Sequence, residues 1–146
     1  VTIPQAGDTF AFSDASVEFL GPVVDYGDDP NEGSLVARVR YGETSFLFTG
    51  DMGFEAEDDM LAAGVDVSAT VLKVAHHGSA GSSSTEFLQA VHQQYAVISV
   101  GADNDYGHPA EQTLTNLTLA GVRDIRMTAE SGTVALPLIA YKENAV

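Results

Sequence analysis

Four side chains of the metal-ligand type follow apolar, strand-like segments of the sequence. Asp51 ends "FLFTGD", His76 and His77 follow "TVLKVA", and His108 lies in "NDYGHP" after a second apolar run, "YAVISVG". Because open α/β folds bind ligands at the carboxyl ends of their strands, we expect these side chains to lie on one rim of a sheet. Imidazole and carboxylate suit zinc or manganese, so the pattern is typical of a metal site that hydrolyses phosphoryl or acyl groups.

Each of these residues also has a purely structural interpretation. Asp51 stands where a helix N-cap is expected, and aspartate is a favoured cap, although its two oxygens could serve a cap and a metal together. Two adjacent histidines in a glycine-serine turn have no packing rationale, so a ligand or catalytic role stays open for His76 and His77. His108 precedes a proline and could be a solvated loop residue. The fourth histidine, His92, lies in a predicted helix and is interpreted as a surface residue.

Lys73 is the charged residue within the apolar segment "TVLKVA". A lysine in such a strand either extends its ammonium group to the edge of the sheet or directs it at an anion. The pattern alone favours neither interpretation.

Composition limits the classes of partner and ligand. The 146 residues are 45% hydrophobic, which predicts one globular unit with a sizeable core. The 21 acidic and 6 basic residues give a formal charge of −15, and no basic stripe is present to attract nucleic acid directly. Cysteine is absent, so any metal must be held by histidine and carboxylate. No apolar run approaches the ~20 residues that span a bilayer.

The remaining sequence predicts the elements that position these side chains. "SLVARVRYG" and "ETSFLFTG" predict a β-hairpin that leads to Asp51, after two short strands and an acidic loop. Helices are predicted from about Asp51 to Gly64 and over about residues 85–93 and 109–120. "TVLKVA" and "YAVISVG" are nearly continuous apolar runs, as in strands that helices cover. The tail "VRDIRMTAESGTVALPLIAYK" predicts strands around a Ser-Gly turn.

Five segments follow one another in a distinctive order and spacing. They are "NEGSLVARV", "FLFTGD", "TVLKVAHHGSAGSSSTEFLQAV", "AVISVGADNDYGHPAEQTLTNLTLAGV" and "ESGTVAL". Together they resemble the second half of the metallo-β-lactamase-like domain of ComEC-type competence proteins, which internalise DNA during natural transformation. The resemblance implies that residues 1–146 form a single unit, the C-terminal portion of an αββα sandwich, which is an α/β fold with a mixed sheet and covering helices.

The resemblance also implies a chemistry and a site. It implies two divalent metal ions, zinc or manganese, and hydrolysis of phosphodiester bonds in the DNA strand that is not transported. Asp51 matches the aspartate that bridges the metals, and one of the histidines matches the last histidine ligand, so the candidate ligands are Asp51, His76, His77 and His108. Histidines that are not ligands face the scissile phosphate together with Lys73, and the candidate catalytic residues are Lys73, His76, His77 and Ser79. Asn31 and Ser34 match the family's Asn-x-x-Ser element, for which turn formation is an equal alternative.

One part of the family pattern is expected before residue 1. This is the main metal-binding run, His-x-Asp-x-Asp-His, which should precede the opening segment "VTIPQAGDTFAF". We therefore expect the chain to be part of a longer membrane protein, with DNA, a membrane channel domain and the upstream half of the domain as partners. We expect the domain to face the outside of the cytoplasmic membrane, and we expect the chain alone to bind metal weakly and to leave DNA uncut.

Two other functions remain open at this point. The chain could be a scaffold or binding module that keeps the fold without catalysis, which its acidic surface favours. It could also belong to a secreted hydrolase that acts on a small ester or phosphodiester.

Overall fold

The computed structural model describes residues 3–136, and one mixed sheet of seven strands runs through them. In chain order the strands are β1 (Thr9–Phe12), β2 (Ala15–Gly21), β3 (Val36–Tyr41), β4 (Thr44–Phe48), β5 (Val71–Lys73), β6 (Tyr95–Ile98) and β7 (Asp124–Met127). Their order across the sheet is the same as their order in the chain. β1 to β4 form antiparallel pairs, whereas β4 to β7 form parallel pairs. The predicted α/β fold with a mixed sheet is therefore confirmed.

The predicted hairpin is formed by β3 and β4. Their register runs from Ala37 opposite Phe48 to Tyr41 opposite Thr44. Gly42 makes the turn with a φ of 58°, a conformation that glycine adopts without steric cost. The hairpin is important for the site because β4 leads directly into the segment that carries Asp51.

Helices connect the parallel strands. They are α1 (Phe54–Ala62), α2 (Thr85–Val91) and α3 (Glu111–Leu119). A further short helix, α4 (Thr128–Ser131), follows β7. The Ser84 hydroxyl caps α2 by accepting a hydrogen bond from the Phe87 amide at 3.2 Å. Helices were predicted close to the bounds of α1, α2 and α3. Of the helices in the described part of the chain, none has the length and apolar character needed to cross a bilayer.

The tail differs from its prediction. The first predicted strand is present as β7, but the residues that follow it form α4 instead of continuing as a strand into the Ser-Gly turn. Thr128 explains part of this change, because its hydroxyl bonds both the amide and the carbonyl of Val100 at 2.8 Å and so turns the chain. Most of the second predicted strand falls in residues 137–146, outside the described residues.

The hydrophobic core lies between the helices and one face of the sheet. Leu47, Leu72 and Ala96 are neighbours in register across β4, β5 and β6, and all three are buried. They belong to one cluster with helical side chains that include Phe87 and Leu117. Full burial of such a side chain stabilises the fold by about 1.5–3 kcal/mol, so this cluster holds the strand ends in fixed relative positions.

The opposite face of the sheet is also apolar. Phe10, Val17, Val39 and Phe46 are neighbours in register across the first four strands. Large side chains around them are exposed, for example Phe12 at 62%. An apolar patch of this kind is typical of an interaction surface. A second sheet would cover this face in the expected αββα sandwich, and that arrangement stays a prediction.

Candidate functional site

The candidate residues lie at one edge of the sheet. Because β4, β5 and β6 are parallel, their carboxyl ends meet at this edge. Asp51 follows β4, His76 and His77 follow β5, and His108 lies in the loop between β6 and α3. This is the edge at which open α/β sheets bind ligands.

Asp51 is positioned by the loop that precedes β3. Its amide donates a hydrogen bond to the Ser34 hydroxyl at 3.0 Å. The neighbouring Gly50 has a φ of 55°, and a Cβ atom there would lie 2.7 Å from the Ser34 Cβ. Only glycine allows this close approach, so Gly50 and Ser34 together determine where the Asp51 carboxylate lies.

The interpretation of Asp51 as a helix cap is wrong. α1 begins at Phe54, and its N-cap residue is Gly53, which has no side chain to accept a hydrogen bond. The cap is instead supplied by Glu32, whose Oε2 atom accepts from the Gly53 amide at 3.2 Å and from the Ala56 amide at 2.8 Å. The Asp51 carboxylate is therefore free of the helix and available to the site.

The two adjacent histidines lie in a tight turn with an uncommon backbone. His76, His77 and Gly78 have φ values of 47°, 54° and 83°, all in the left-handed region. For a residue other than glycine this conformation costs about 1–3 kcal/mol, and it is common at functional sites. The turn is held by the His76 amide, which donates to the Gly50 carbonyl at 3.1 Å. Both histidines are thereby tied to the segment that carries Asp51.

His77 is oriented as a metal-binding histidine usually is. Its Nδ1 atom lies 2.6 Å from the Ser99 carbonyl oxygen. Because a carbonyl can only accept, Nδ1 must carry the proton, and in the neutral ring Nε2 keeps its lone pair. Nε2 lies 3.6 Å from the Oδ1 atom of Asp51.

The other two candidate histidines lie beside His77. The centroids of the His76 and His77 rings are 6.5 Å apart, and those of the His76 and His108 rings are 6.0 Å apart. Burial and the nearby His76 and His77 lower the pKa of His108, which favours its neutral form. The structure therefore brings Asp51 and all three histidines together, while the role of each stays a prediction. His92 lies away from them as an exposed C-cap of α2.

The two histidine motifs are locked together through Gly78. Its carbonyl accepts a hydrogen bond from the Ala110 amide at 2.8 Å. A Cβ atom at Gly78 would lie 2.6 Å from the Cβ of Pro109. Glycine after the histidine pair and proline after His108 therefore pack directly against each other.

Lys73 points at the site. Its ammonium group donates a hydrogen bond to the Gly50 carbonyl at 2.8 Å and lies 3.9 Å from the Oδ1 atom of Asp51. Burial lowers the pKa of Lys73, and the Asp51 carboxylate opposes this shift. Of the two interpretations of Lys73, the one in which it faces an anion is therefore supported by these contacts.

Ser79 takes part in local structure. Its hydroxyl accepts from the Gly81 amide at 3.2 Å, and its carbonyl accepts from the Thr113 hydroxyl at 2.9 Å. These bonds connect the histidine turn to α3. The catalytic role expected for Ser79 stays a prediction.

A comparison with protein families matches residues 2–102 to the model described as the metallo-β-lactamase superfamily. The chain belongs to the metallo-β-lactamase superfamily. The matched segment includes Asp51, the histidine pair and β1 to β6, and it ends before His108.

Curated relatives place this superfamily domain among competence proteins. ComE operon protein 3 of Bacillus subtilis is 35% identical over 130 residues, which are 89% of this chain and 17% of that protein. Competence protein ComA of Neisseria gonorrhoeae is 38% identical over 110 residues, 75% of this chain and 16% of that protein. Recombination protein 2 of Haemophilus influenzae is 33% identical over 118 residues, 80% of this chain and 14% of that protein. The chain spans about a sixth of the length of these relatives. Its resemblance to the competence proteins is confirmed.

Metallo-β-lactamase superfamily domains usually bind metal ions, and the residues of this edge fit part of such a site. Two atoms that each lie about 2.0–2.2 Å from a tetrahedral zinc ion are about 3.3–3.6 Å apart. Asp51 Oδ1 and His77 Nε2, at 3.6 Å, meet this spacing. Within residues 3–136, however, no three histidine or acidic side chains are arranged to hold one ion. Asp51 and His77 are the residues whose spacing would suit two ligands of one ion.

A pocket of about 320 Å³ opens beside these residues in the superfamily domain. Its lining includes His77, Ser99, Asn104, Tyr106, His108 and Thr128. The two histidines were predicted from the sequence, whereas Glu32 and Tyr106 were not. Glu32 has no local signal because Gly53, the N-cap residue of the helix that it caps, lies 21 residues later. Tyr106 could have been found in the same "NDYGHP" motif as His108.

Proposed function

We propose that this chain supplies one side of a metal-dependent phosphodiesterase that cuts DNA during competence-related uptake. The observation that carries this proposal is the orientation of His77, whose Nδ1 proton is held by the Ser99 carbonyl while Nε2 faces Asp51 at 3.6 Å. A histidine that was merely solvated would not need this pair of contacts. The metals would be zinc or manganese, which these ligand types suit.

The contribution of each residue follows from its contacts. A divalent metal, when bound, polarises a phosphoryl group and makes water a stronger nucleophile at neutral pH. Asp51 and His77 would orient that ion, and Ser34 would fix Asp51 through its amide. The Lys73 ammonium, 3.9 Å from Asp51, would balance negative charge at the scissile phosphate.

The surroundings of the site define the expected partners. Residues of an upstream half of the domain would complete the coordination of the metal ions that Asp51 and His77 bind. This half would pack on the apolar face that contains Phe46. DNA and a membrane channel domain of the same protein are the further proposed partners. In this proposal the domain faces the outside of the cytoplasmic membrane, where incoming duplex DNA arrives.

The test uses the protein at its full natural length, with zinc or manganese and labelled duplex or single-stranded DNA. Asp51→Asn is expected to lower cleavage at least about 100-fold with little change in unfolding temperature, because Asp51 caps no helix. His92→Asn is the matched control, since His92 is exposed and lies away from the site. Full activity of Asp51→Asn would refute the assignment, and no cleavage by the wild type with either metal would favour the non-catalytic scaffold.

A further inference from the structure

Tyr106 is the most exposed of the large hydrophobic side chains in the described part of the chain. It is 83% exposed, compared with 62% for Phe12. A single exposed aromatic residue is common on protein surfaces and by itself implies nothing. The surroundings of Tyr106 are what distinguish it.

The Tyr106 ring has a defined orientation at the rim of the pocket. It lies almost parallel to the His108 ring, with an interplanar angle of 16° and a centroid distance of 5.8 Å. It also lines the same pocket as His77. One aromatic surface is thus held beside the candidate metal ligands while most of the ring stays exposed to solvent.

The loop that carries Tyr106 is braced by Asn104. The Asn104 amide nitrogen donates to the carbonyls of Gly101 and His108 at 2.9 and 2.8 Å, and its oxygen accepts from the His108 amide at 2.9 Å. These three bonds close the loop on both sides of Tyr106. The ring is therefore presented on a preorganised support, which lowers the entropy cost of stacking a ligand on it.

The charges of the chain give an independent reason for a stacking contact. Against 21 acidic residues there are 6 basic ones. Two of these, Arg38 and Arg126, are already paired with carboxylates at 2.7 and 2.8 Å. Phosphate contacts normally supply most of the affinity for nucleic acid. A polyanionic substrate of this acidic chain needs another source of binding energy, and stacking of bases on aromatic rings is the usual one.

We propose that Tyr106 is a stacking platform for an unpaired nucleobase that adjoins the phosphodiester at Asp51 and His77. This proposal rests on the proposed function and names its substrate class. A base within a duplex has both faces covered by its neighbours, so only a single-stranded or extruded base can stack on Tyr106. The preferred substrate is therefore single-stranded DNA, or a free dinucleotide with the same exposed base.

The test compares Tyr106→Ala and Tyr106→Phe in the full-length protein. Substrates are a single-stranded oligonucleotide, the same strand with abasic sites, and a free dinucleotide. Tyr106→Ala is expected to raise KM for the base-containing strand about 5- to 150-fold, the range that base stacking spans. It is expected to leave kcat and the abasic strand nearly unchanged, and Tyr106→Phe is expected to retain wild-type KM. His92→Ala is the control, because His92 carries an exposed ring that lies away from the site.

A binding measurement separates this proposal from the proposed function. In the cleavage-deficient Asp51→Asn background, a strand containing 2-aminopurine should lose fluorescence on binding, and Tyr106→Ala should abolish that loss. Equal KM values for wild type and Tyr106→Ala on the base-containing strand would overturn the stacking role while leaving the hydrolase intact. If the wild type cleaves nothing, the proposed function falls, and unchanged 2-aminopurine fluorescence would then overturn the stacking role as well. A smaller effect on the dinucleotide than on the strand would identify the strand as the ligand.

Discussion

Replacing Glu32 by alanine tests how the helix beside the site is held. One oxygen of Glu32 accepts both the Gly53 amide at 3.2 Å and the Ala56 amide at 2.8 Å. A hydrogen bond to a charged group contributes about 1.5–3 kcal/mol, and loss of an N-cap costs about 0.5–2 kcal/mol. The Glu32 side chain is partly exposed, so water can fill the space that it leaves, and we take a cost where the two ranges overlap. We expect Glu32→Ala to lower the free energy of unfolding by about 2 kcal/mol.

Two companion variants make the Glu32 experiment specific. Glu32→Gln keeps an oxygen that can accept both amides and loses only the charge, so it should cost less than about 1 kcal/mol. Asp51→Ala removes no cap and should also cost less than about 1 kcal/mol. Urea unfolding followed by circular dichroism measures all three. A loss below about 0.5 kcal/mol for Glu32→Ala, or an equal loss for Asp51→Ala, would refute the capping assignment.

Two further predictions concern the turn after β5 and the buried carboxyl of α1. Gly78→Ala places a Cβ atom 2.6 Å from Pro109 on a backbone whose φ is 83°, so it should lower the free energy of unfolding by about 2–5 kcal/mol. Urea titration measures this loss, and a loss under about 1 kcal/mol would contradict the packing. Burial raises the pKa of Glu57 above 4.5, although the hydrogen bonds from Ser83 and Ser84 oppose this shift. The neutral carboxyl therefore stabilises the fold below pH 4.5, and this contribution is lost as the pH rises through the pKa of the folded state. The stability advantage of wild type over Glu57→Gln should therefore shrink from pH 4 to 7, and an advantage that grows with pH would contradict this sign.

Much of the site's placement could be predicted from the sequence. Apolar runs that end in polar residues mark the carboxyl ends of strands, and parallel strands bring those ends to one edge. The positions of Asp51, His76, His77 and His108 at that edge follow from this local pattern. Turn residues and the spacing of apolar residues likewise predict the β3–β4 hairpin and the ends of α1, α2 and α3. These signals are local because each depends on residues within a few positions of one another.

The contacts that assign chemistry to these residues depend on the tertiary structure. The capping side chain of α1 is Glu32, 21 positions before Gly53, whereas the local pattern favoured Asp51 as the cap. Asp51 therefore does not cap the helix. The His77 proton is held by Ser99, 22 positions away, and the Lys73 ammonium by Gly50, 23 positions away. Such partners are neighbours only after the strands have packed side by side. A sequence pattern records which residues are near in the chain, whereas the proton on a ring nitrogen or the direction of an ammonium group is set by atoms that only folding brings within 3 Å.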